Sequence, residues 1–139
     1  MPRFGKQSQA QLDTCHEDLQ KVLNVAIKEV DFSILEGHRS KELQDKYFRE
    51  NKSKLKYPHG KHNKIPSLAV DIAPYPIDWK DTKRFAHVAF FIKGIAYSMG
   101  IMLRLGGDWD GDFINNESFI DLPHLELNSK LVNGKWVKY

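Results

Sequence analysis

The stretch of sequence that decides the fold is Thr82-Lys-Arg-Phe-Ala-His-Val-Ala-Phe-Phe-Ile-Lys-Gly-Ile-Ala-Tyr-Ser-Met-Gly-Ile-Met-Leu-Arg-Leu105. Its apolar residues recur three and four positions apart, which predicts a helix from about Thr82 to Met99 with one buried face: Phe85, Ala89, Ile92, Ala96 and Met99. Gly100 is expected to end the helix, and Ile101–Leu105 follows as a strand. We expect this helix to form the centre of the core.

Composition limits what the rest of the chain can be. With 139 residues, 41% hydrophobic and 28% charged, residues 1–139 are expected to form a single domain with a core of its own. The longest unbroken apolar run, Val88–Ile92, is too short to cross a bilayer. The net charge of +3 suits contact with an anionic polymer but lacks the dense cationic stripe of a nucleic-acid binder. Cys15 is the single cysteine, so no internal disulfide is possible.

Helices and short strands alternate on either side of this central stretch. Periodicity predicts one helix over Ser8–Val30, or two joined by a short turn, because Ser8 with Gln11 and Thr14 with Glu17 both have capping-box spacing. The other expected elements are a strand over 31–37, a helix over 41–50, a long loop over 51–67, a strand over 68–73, a loop over 106–118 and a strand over 124–127. Together they predict an α+β domain in which helices back a small, mostly antiparallel sheet.

Three side chains could form a metal site. His62 stands in the long loop, Asp71 on the following strand and His124 near the C-terminus, and two imidazoles with one carboxylate are a common ligand set for catalytic zinc. Spacing alone leaves open whether they share a metal. Asp121, three residues before His124, could act as a general base or simply cap a turn. Arg39 could hold a carbonyl or a developing negative charge, or lie on the surface.

Four segments together resemble the zinc peptidases of the VanY and phage-endolysin L-alanyl-D-glutamate peptidase family: Glu36-Gly-His-Arg-Ser40, His62-Asn-Lys-Ile-Pro-Ser-Leu-Ala-Val-Asp71-Ile-Ala-Pro, Leu105-Gly-Gly-Asp-Trp109 and Asp121-Leu-Pro-His124-Leu-Glu-Leu. Their order and spacing match over nearly the whole chain. The resemblance implies the Hedgehog/D,D-peptidase fold and zinc (Zn2+) at His62, Asp71 and His124. It also implies Asp121 as catalytic base and Arg39 as a clamp for substrate or oxyanion.

Two departures accompany the resemblance. Many relatives place Ser two residues before the first zinc histidine, where this chain has Gly60, so a supporting hydroxyl is missing or replaced by Ser67. Eight residues separate His62 from Asp71, a longer connection than the shortest version in the family, which we interpret as a longer-loop subtype.

The function expected from the resemblance is a zinc-dependent endopeptidase, used as a phage endolysin, that cleaves the L-alanyl-D-glutamate bond of peptidoglycan stem peptides. We expect a monomer with no nucleic-acid partner and no membrane insertion. The N-terminus has no apolar segment of a secretory signal. We therefore expect the protein in the host bacterial cytoplasm, acting on the cell wall after release by another protein.

Alternative functions remain open at this point. A D-alanyl-D-alanine carboxypeptidase of the same family would need to bind a free C-terminal carboxylate. A metal-dependent nuclease is suggested by His62-Asn63 and the basic charge, although the rest of a ββα-metal pattern is absent nearby. A noncatalytic wall-binding module would not need His62, Asp71, Asp121 and His124 in this order.

The acidic loop before Asp121 could bind a second cation. Asp108, Asp110 and Asp112 stand at alternate positions, as in an oxygen cage for calcium (Ca2+). Glycine occupies the fourth place rather than the sixth, and Phe119 stands where an EF-hand has its bidentate Glu. A calcium loop that orders Asp121 and His124 and a solvated turn are therefore both compatible with the sequence.

Overall fold

The computed structural model describes residues 2–111 and 121–139. These residues form four α-helices, five β-strands and one 3-10 turn, with these bounds: α1 (Lys6–Leu12), α2 (Glu17–Ala26), β1 (Phe32–Glu36), α3 (Lys41–Arg49), the 3-10 turn (Lys61–Asn63), β2 (Ala69–Pro74), α4 (Thr82–Ser98), β3 (Ile101–Leu105), β4 (His124–Val132) and β5 (Lys135–Lys138). The predicted α+β architecture is confirmed.

The strands form one antiparallel sheet in the order β1-β2-β4-β3, with β5 also paired to β4. β4 pairs with β3 along one edge; along its other edge it pairs with β2 at its start and β5 at its end. The register places Asp71 opposite His124 and Arg104 opposite Glu126. Residues far apart in sequence therefore meet at the start of β4.

Local capping explains where the helices begin. The segment predicted as one or two helices contains two, α1 and α2, and α2 is capped by His16, whose Nδ1 accepts a hydrogen bond from the backbone N–H of Asp18 at 3.0 Å. Neither predicted capping box forms, because the hydroxyls are used elsewhere: Ser8 accepts from the N–H of Ile34 and Thr14 from that of His38. These side chains instead fasten the N-terminal helices to β1 and to the segment after it.

The core lies between the helices and the sheet. Helix α4 packs against β3, β2 and α2, and its predicted apolar face supplies Phe85, Ala89, Ile92 and Ala96 as buried residues. Met99 lies just beyond the helix and is exposed, since Gly100 with φ of 74° ends the helical path. None of the helices among the described residues is long and apolar enough to cross a membrane.

The C-terminal end of the sheet departs from the sequence prediction. β4 continues to Val132, well past Leu127, and turns back into β5. The turn residues Asn133 and Gly134 have φ of 50° and 78°, the conformation in which Asn-Gly favours a two-residue hairpin. This hairpin was missed, although the Asn-Gly pair is a sequence pattern that could have identified it.

Candidate active site

Three side chains that the resemblance singled out meet at one end of the sheet. His62 lies in the 3-10 turn, Asp71 in the middle of β2 and His124 at the first position of β4. One ligand atom from each lies within 4.8 Å of the others. Asp71 Oδ1 is 3.2 Å from His62 Nε2 and 3.4 Å from His124 Nδ1. The structure thus brings together two nitrogens and one oxygen around a single point.

Each imidazole is oriented by the nitrogen that faces away from Asp71. His62 Nδ1 lies 2.7 Å from the carbonyl oxygen of Gly37; since a carbonyl can only accept, Nδ1 carries a proton, and Nε2 is the nitrogen that faces Asp71. His124 Nε2 lies 2.8 Å from Glu126 Oε1, which leaves His124 Nδ1 for the shared point. Metal-binding histidines are commonly held in this way by a carbonyl or a carboxylate.

Asp71 and His124 each stabilise the charged form of the other. Burial opposes ionisation of Asp71, but the charge of His62 and the hydrogen bond from His124 hold the pKa of Asp71 well below its usual range. Burial also disfavours the charged form of His124, yet its hydrogen bonds to Asp71 and Glu126 raise the pKa of His124 to about 9. The group therefore favours a positive charge beside Asp71, and its two nitrogens and one oxygen fit a divalent metal with an open coordination position.

Asp121 stands next to this group. Its Oδ2 lies 4.0 Å from His124 Nδ1, and burial followed by the negative charge of Asp71 raises the pKa of Asp121. Its position depends on Gly106, whose carbonyl accepts a hydrogen bond from the N–H of Asp121 and whose N–H donates to the carbonyl of His124, both at 2.8 Å. A Cβ at Gly106 would lie 1.9 Å from the carbonyl oxygen of Asp121, so only glycine permits this approach.

Arg39 reaches the group from the other side. Its Nε and Nη2 contact Glu36 Oε1 at 2.6 and 2.5 Å, and its Nη1 donates to Gln44 Oε1 at 3.0 Å. Nη2 also lies 3.7 Å from Asp71 Oδ2, and the guanidinium sits 4.7 Å above the ring of Tyr47. Arg39 is thus a fixed positive charge beside Asp71 rather than a mobile surface residue.

Sequence reasoning missed the residues that hold these groups in place. Gln44 is fully buried in α3 and ties Arg39 to the loop through hydrogen bonds to Ser53 and to the carbonyl of Leu55. A glutamine in a charged amphipathic helix has no pattern that would mark it as buried. Trp109 was seen only as part of a motif, and its ring lies 5.2 Å from that of His124.

Of the two alternatives for the supporting hydroxyl, absence or replacement by Ser67, the contacts of Ser67 favour absence. Ser67 Oγ donates to the carbonyl of Ala69 and accepts from the N–H of Ala69, the first residue of β2. At position 60, a Cβ would lie 2.8 Å from Asn63 Oδ1, which accepts a hydrogen bond from the N–H of Gly60. The asparagine side chain occupies the space that a serine side chain would need.

The acidic loop is only partly described. Asp108 is buried and Asp110 is exposed, so these two carboxylates do not share one environment. Asp112 and Phe119 lie outside the described residues.

The candidate active site opens on a cleft of about 300 Å³, which is bordered by Arg39, His62, Asp121 and His124. Cationic residues from the 52–61 segment and Arg104 of β3 also line this cleft. A metal-binding group, a neighbouring carboxylate and an arginine that open on one cleft are the components of a metal-dependent hydrolase.

Comparison with known proteins identifies the family of hydrolases to which this chain belongs. Residues 1–128 match the phage L-alanyl-D-glutamate peptidases, and the chain therefore belongs to that family. It is 36% identical over 134 residues to the L-alanyl-D-glutamate peptidase of Escherichia phage T5, which covers 90% of this chain and 97% of the phage protein.

Solved structures show the same fold. The Serratia marcescens L-Ala D-Glu endopeptidase ChiX superposes with a TM-score of 0.73 at 26% identity, covering 91% of each chain. The LD-carboxypeptidase LdcB superposes with a TM-score of 0.52 at 20% identity, covering 80% of this chain and 56% of the other. The D,D-peptidase-like fold expected from the sequence is confirmed.

Proposed function

We propose that this protein is a zinc-dependent endopeptidase that cleaves the L-alanyl-D-glutamate bond of peptidoglycan stem peptides and serves as a phage endolysin. The observation that carries the proposal is the convergence of His62 Nε2, Asp71 Oδ1 and His124 Nδ1 beside Asp121 in a member of this peptidase family. The identity to the phage T5 peptidase over nearly the full length of both proteins supports the substrate.

His62, Asp71 and His124 would hold the zinc ion, and Asp121 and Arg39 would act on the substrate. Bound zinc supplies a water of lowered pKa and polarises a carbonyl group. Asp121 accepts the proton of the attacking water at its carboxylate and can return it to the leaving amine. Arg39, fixed by Glu36 and Gln44, places positive charge where the carbonyl oxygen gains negative charge.

Fragment analysis of digested cell wall tests the bond and the metal together. Purified wall treated with the protein should release stem peptides that begin with a D-glutamyl amino group, and a chelator should stop the release until zinc is restored. Release of single D-alanine from the C-terminus would instead assign the carboxypeptidase activity, and cleavage unaffected by chelation would exclude the metal.

The setting of the activity follows from the same relationship. We propose that residues 1–139 act as a single, monomeric peptidase domain, since the described strands form one sheet above one buried cluster. The protein would reach the wall from the host bacterial cytoplasm after release by another protein. Size-exclusion chromatography with light scattering tests the monomer.

We also propose that the loop containing Asp108, Asp110 and Asp112 makes cleavage respond to calcium. The loop precedes Asp121 and His124 in the chain, so drawing its carboxylates around a cation would help to place both residues. Wall cleavage at fixed zinc should rise with added calcium, and Asp110→Ala should flatten the response without changing zinc content. Equal rates of the parent enzyme in calcium and in a calcium-selective chelator would show that the loop is a solvated turn.

A further inference from the structure

Behind His124 lies a charged cluster that the proposed mechanism does not use. Glu126 accepts from His124 with Oε1, while its Oε2 lies 3.1 Å from Lys61 Nζ and 3.0 Å from Arg104 Nη2. One buried carboxylate is therefore shared by two cations, and the cluster has surplus positive charge.

The two cations are reachable from the cleft. All three residues of the cluster border it, and the side chains of Lys61 and Arg104 are 30% and 44% exposed, against 5% for Glu126. Arg39, the other arginine of the cleft, is only 11% exposed and has its guanidinium nitrogens engaged by Glu36 and Gln44. Arg104 is thus the more accessible of these two arginines for a carboxylate of the substrate.

Arg104 is also held in a defined orientation. Its Nε and Nη2 face Glu126, and no hydrogen bond to another described residue engages its Nη1. Its guanidinium lies 5.2 Å from the centre of the Trp109 ring. The same indole packs 5.2 Å from His124. A planar guanidinium fixed on one edge by a carboxylate and on one face by an aromatic ring is suited to bind a carboxylate with its remaining edge.

The substrate class offers such a group close to the scissile bond. A glutamyl residue has two carboxyl groups, and a peptide chain that continues from it uses only one. The other stays ionised and belongs to the residue whose nitrogen is the leaving amine. Because neighbouring Cα atoms are about 3.8 Å apart, this carboxylate must bind next to the metal-binding group, on the side of the departing amine.

We propose that Arg104, assisted by Lys61, binds the free carboxylate of the D-glutamyl residue and so selects the L-alanyl-D-glutamate bond. The inference rests on the proposed peptidase function and adds a specificity residue to it. Glu126 has two tasks in this arrangement, since it orients His124 with one oxygen and positions the selecting arginine with the other.

A matched pair of substrates tests this selection. One is an acylated L-alanyl-D-glutamyl peptide with its free carboxylate, and the other has a carboxamide in that place. The parent should prefer the carboxylate, and Arg104→Gln should lower kcat/KM for it by about tenfold or more, since a hydrogen bond to a charged group is lost. Arg104→Gln should cleave the carboxamide substrate at close to the parental rate, so the variant should lose the preference for the carboxylate substrate.

Controls separate charge recognition from structural damage. Arg104 is an exposed residue of β3, so its replacement should leave folding intact, and the zinc content of the variant reports whether His124 is still held. Lys135→Gln removes the same charge from exposed β5 and should keep the parental preference. Arg104→Lys should retain part of it, because the charge remains without the planar fork.

The outcomes distinguish this inference from the proposed function. If the parent cleaves the L-alanyl-D-glutamyl bond but Arg104→Gln lowers kcat/KM equally for both substrates, or for neither, Arg104 does not read the carboxylate and the inference is overturned. If the parent cleaves neither substrate with zinc present, it is the peptidase assignment that fails.

Discussion

Gly106 controls how closely the segment containing Asp121 and His124 approaches the end of β3, and Gly106→Ala is therefore a direct test of how the site is built. The glycine donates to the carbonyl of His124 and accepts from the N–H of Asp121, both at 2.8 Å. An added Cβ would lie 1.9 Å from the carbonyl oxygen of Asp121 and 2.9 Å from His124 Cβ. The backbone on one side of this contact must move.

The size of the effect follows from these distances. Ordinary contact begins near 3.4 Å, so the Asp121 carbonyl has to shift by about 1.5 Å, which breaks or weakens two backbone hydrogen bonds. At about 0.5–1.5 kcal/mol for each bond, we expect unfolding free energy to fall by about 1–3 kcal/mol. A misplacement of about 1 Å at reacting groups can cost about 100-fold in rate, so we expect a loss of at least that size.

Urea unfolding and the rate of wall cleavage measure the two effects, and Gly94→Ala is the matched control. Gly94 lies exposed within α4, and a Cβ there would meet no atom within 4 Å. Alanine at this position should raise stability by about 0.5–1 kcal/mol, since glycine is a poor helix former. Cleavage by Gly94→Ala should match the parent.

A Gly106→Ala variant that unfolds within about 0.5 kcal/mol of the parent, the range of neutral surface changes, and cleaves wall at the parental rate would refute this reasoning. It would mean that Asp121 and His124 tolerate displacement, and that Asp121 does not act from its position beside His124.

Three further predictions concern single side chains. His124→Ala should abolish stoichiometric zinc binding and wall cleavage together, because it removes one donor; full zinc occupancy by metal analysis would contradict the ligand set. Asp121→Asn should keep zinc and stability but lower turnover by about 100- to 10,000-fold, because an amide cannot accept the proton; a loss below about tenfold would place the base elsewhere. Burial raises the pKa of Cys15 from 9.0 to about 11 despite a hydrogen bond with Thr14, so native protein should resist thiol labelling near neutral pH and unfolded protein should not. Its contribution to stability should be complete below about pH 9 and disappear as the pH rises towards 11, which urea titrations at several pH values can measure.

Local patterns in the sequence predicted most of the fold because they act over a few residues. The apolar spacing of α4 and the glycine that ends it were sufficient to place that helix. Ser40 accepts from the N–H of Leu43 at the start of α3, as a serine before a helix should. The His62, Asp71 and His124 positions were found through family resemblance, since spacing alone cannot show that residues 62 and 124 are neighbours.

The contacts that the sequence could not provide are those set by strand register. The sequence shows Glu126 only as the residue two positions after His124, which a strand would place on the same face. Its pairing with Arg104 depends on the alignment of β4 with β3, which includes an irregularity between Met102 and Leu103. Lys61 joins the same carboxylate from a loop. Without the register, nothing in the sequence connects these three charges.

The separation of the three proposed metal ligands along the chain has a thermodynamic consequence. His62, Asp71 and His124 belong to a loop and two strands that only the folded chain brings together, so the unfolded chain offers no equivalent site. An ion held there is a reversible cross-link, and each tenfold rise in its free concentration above Kd adds about 1.4 kcal/mol to the stability of the native state. Resistance of this protein to heat should therefore follow the free metal concentration of its surroundings, and its lifetime outside a cell becomes a property of the medium as well as of the sequence.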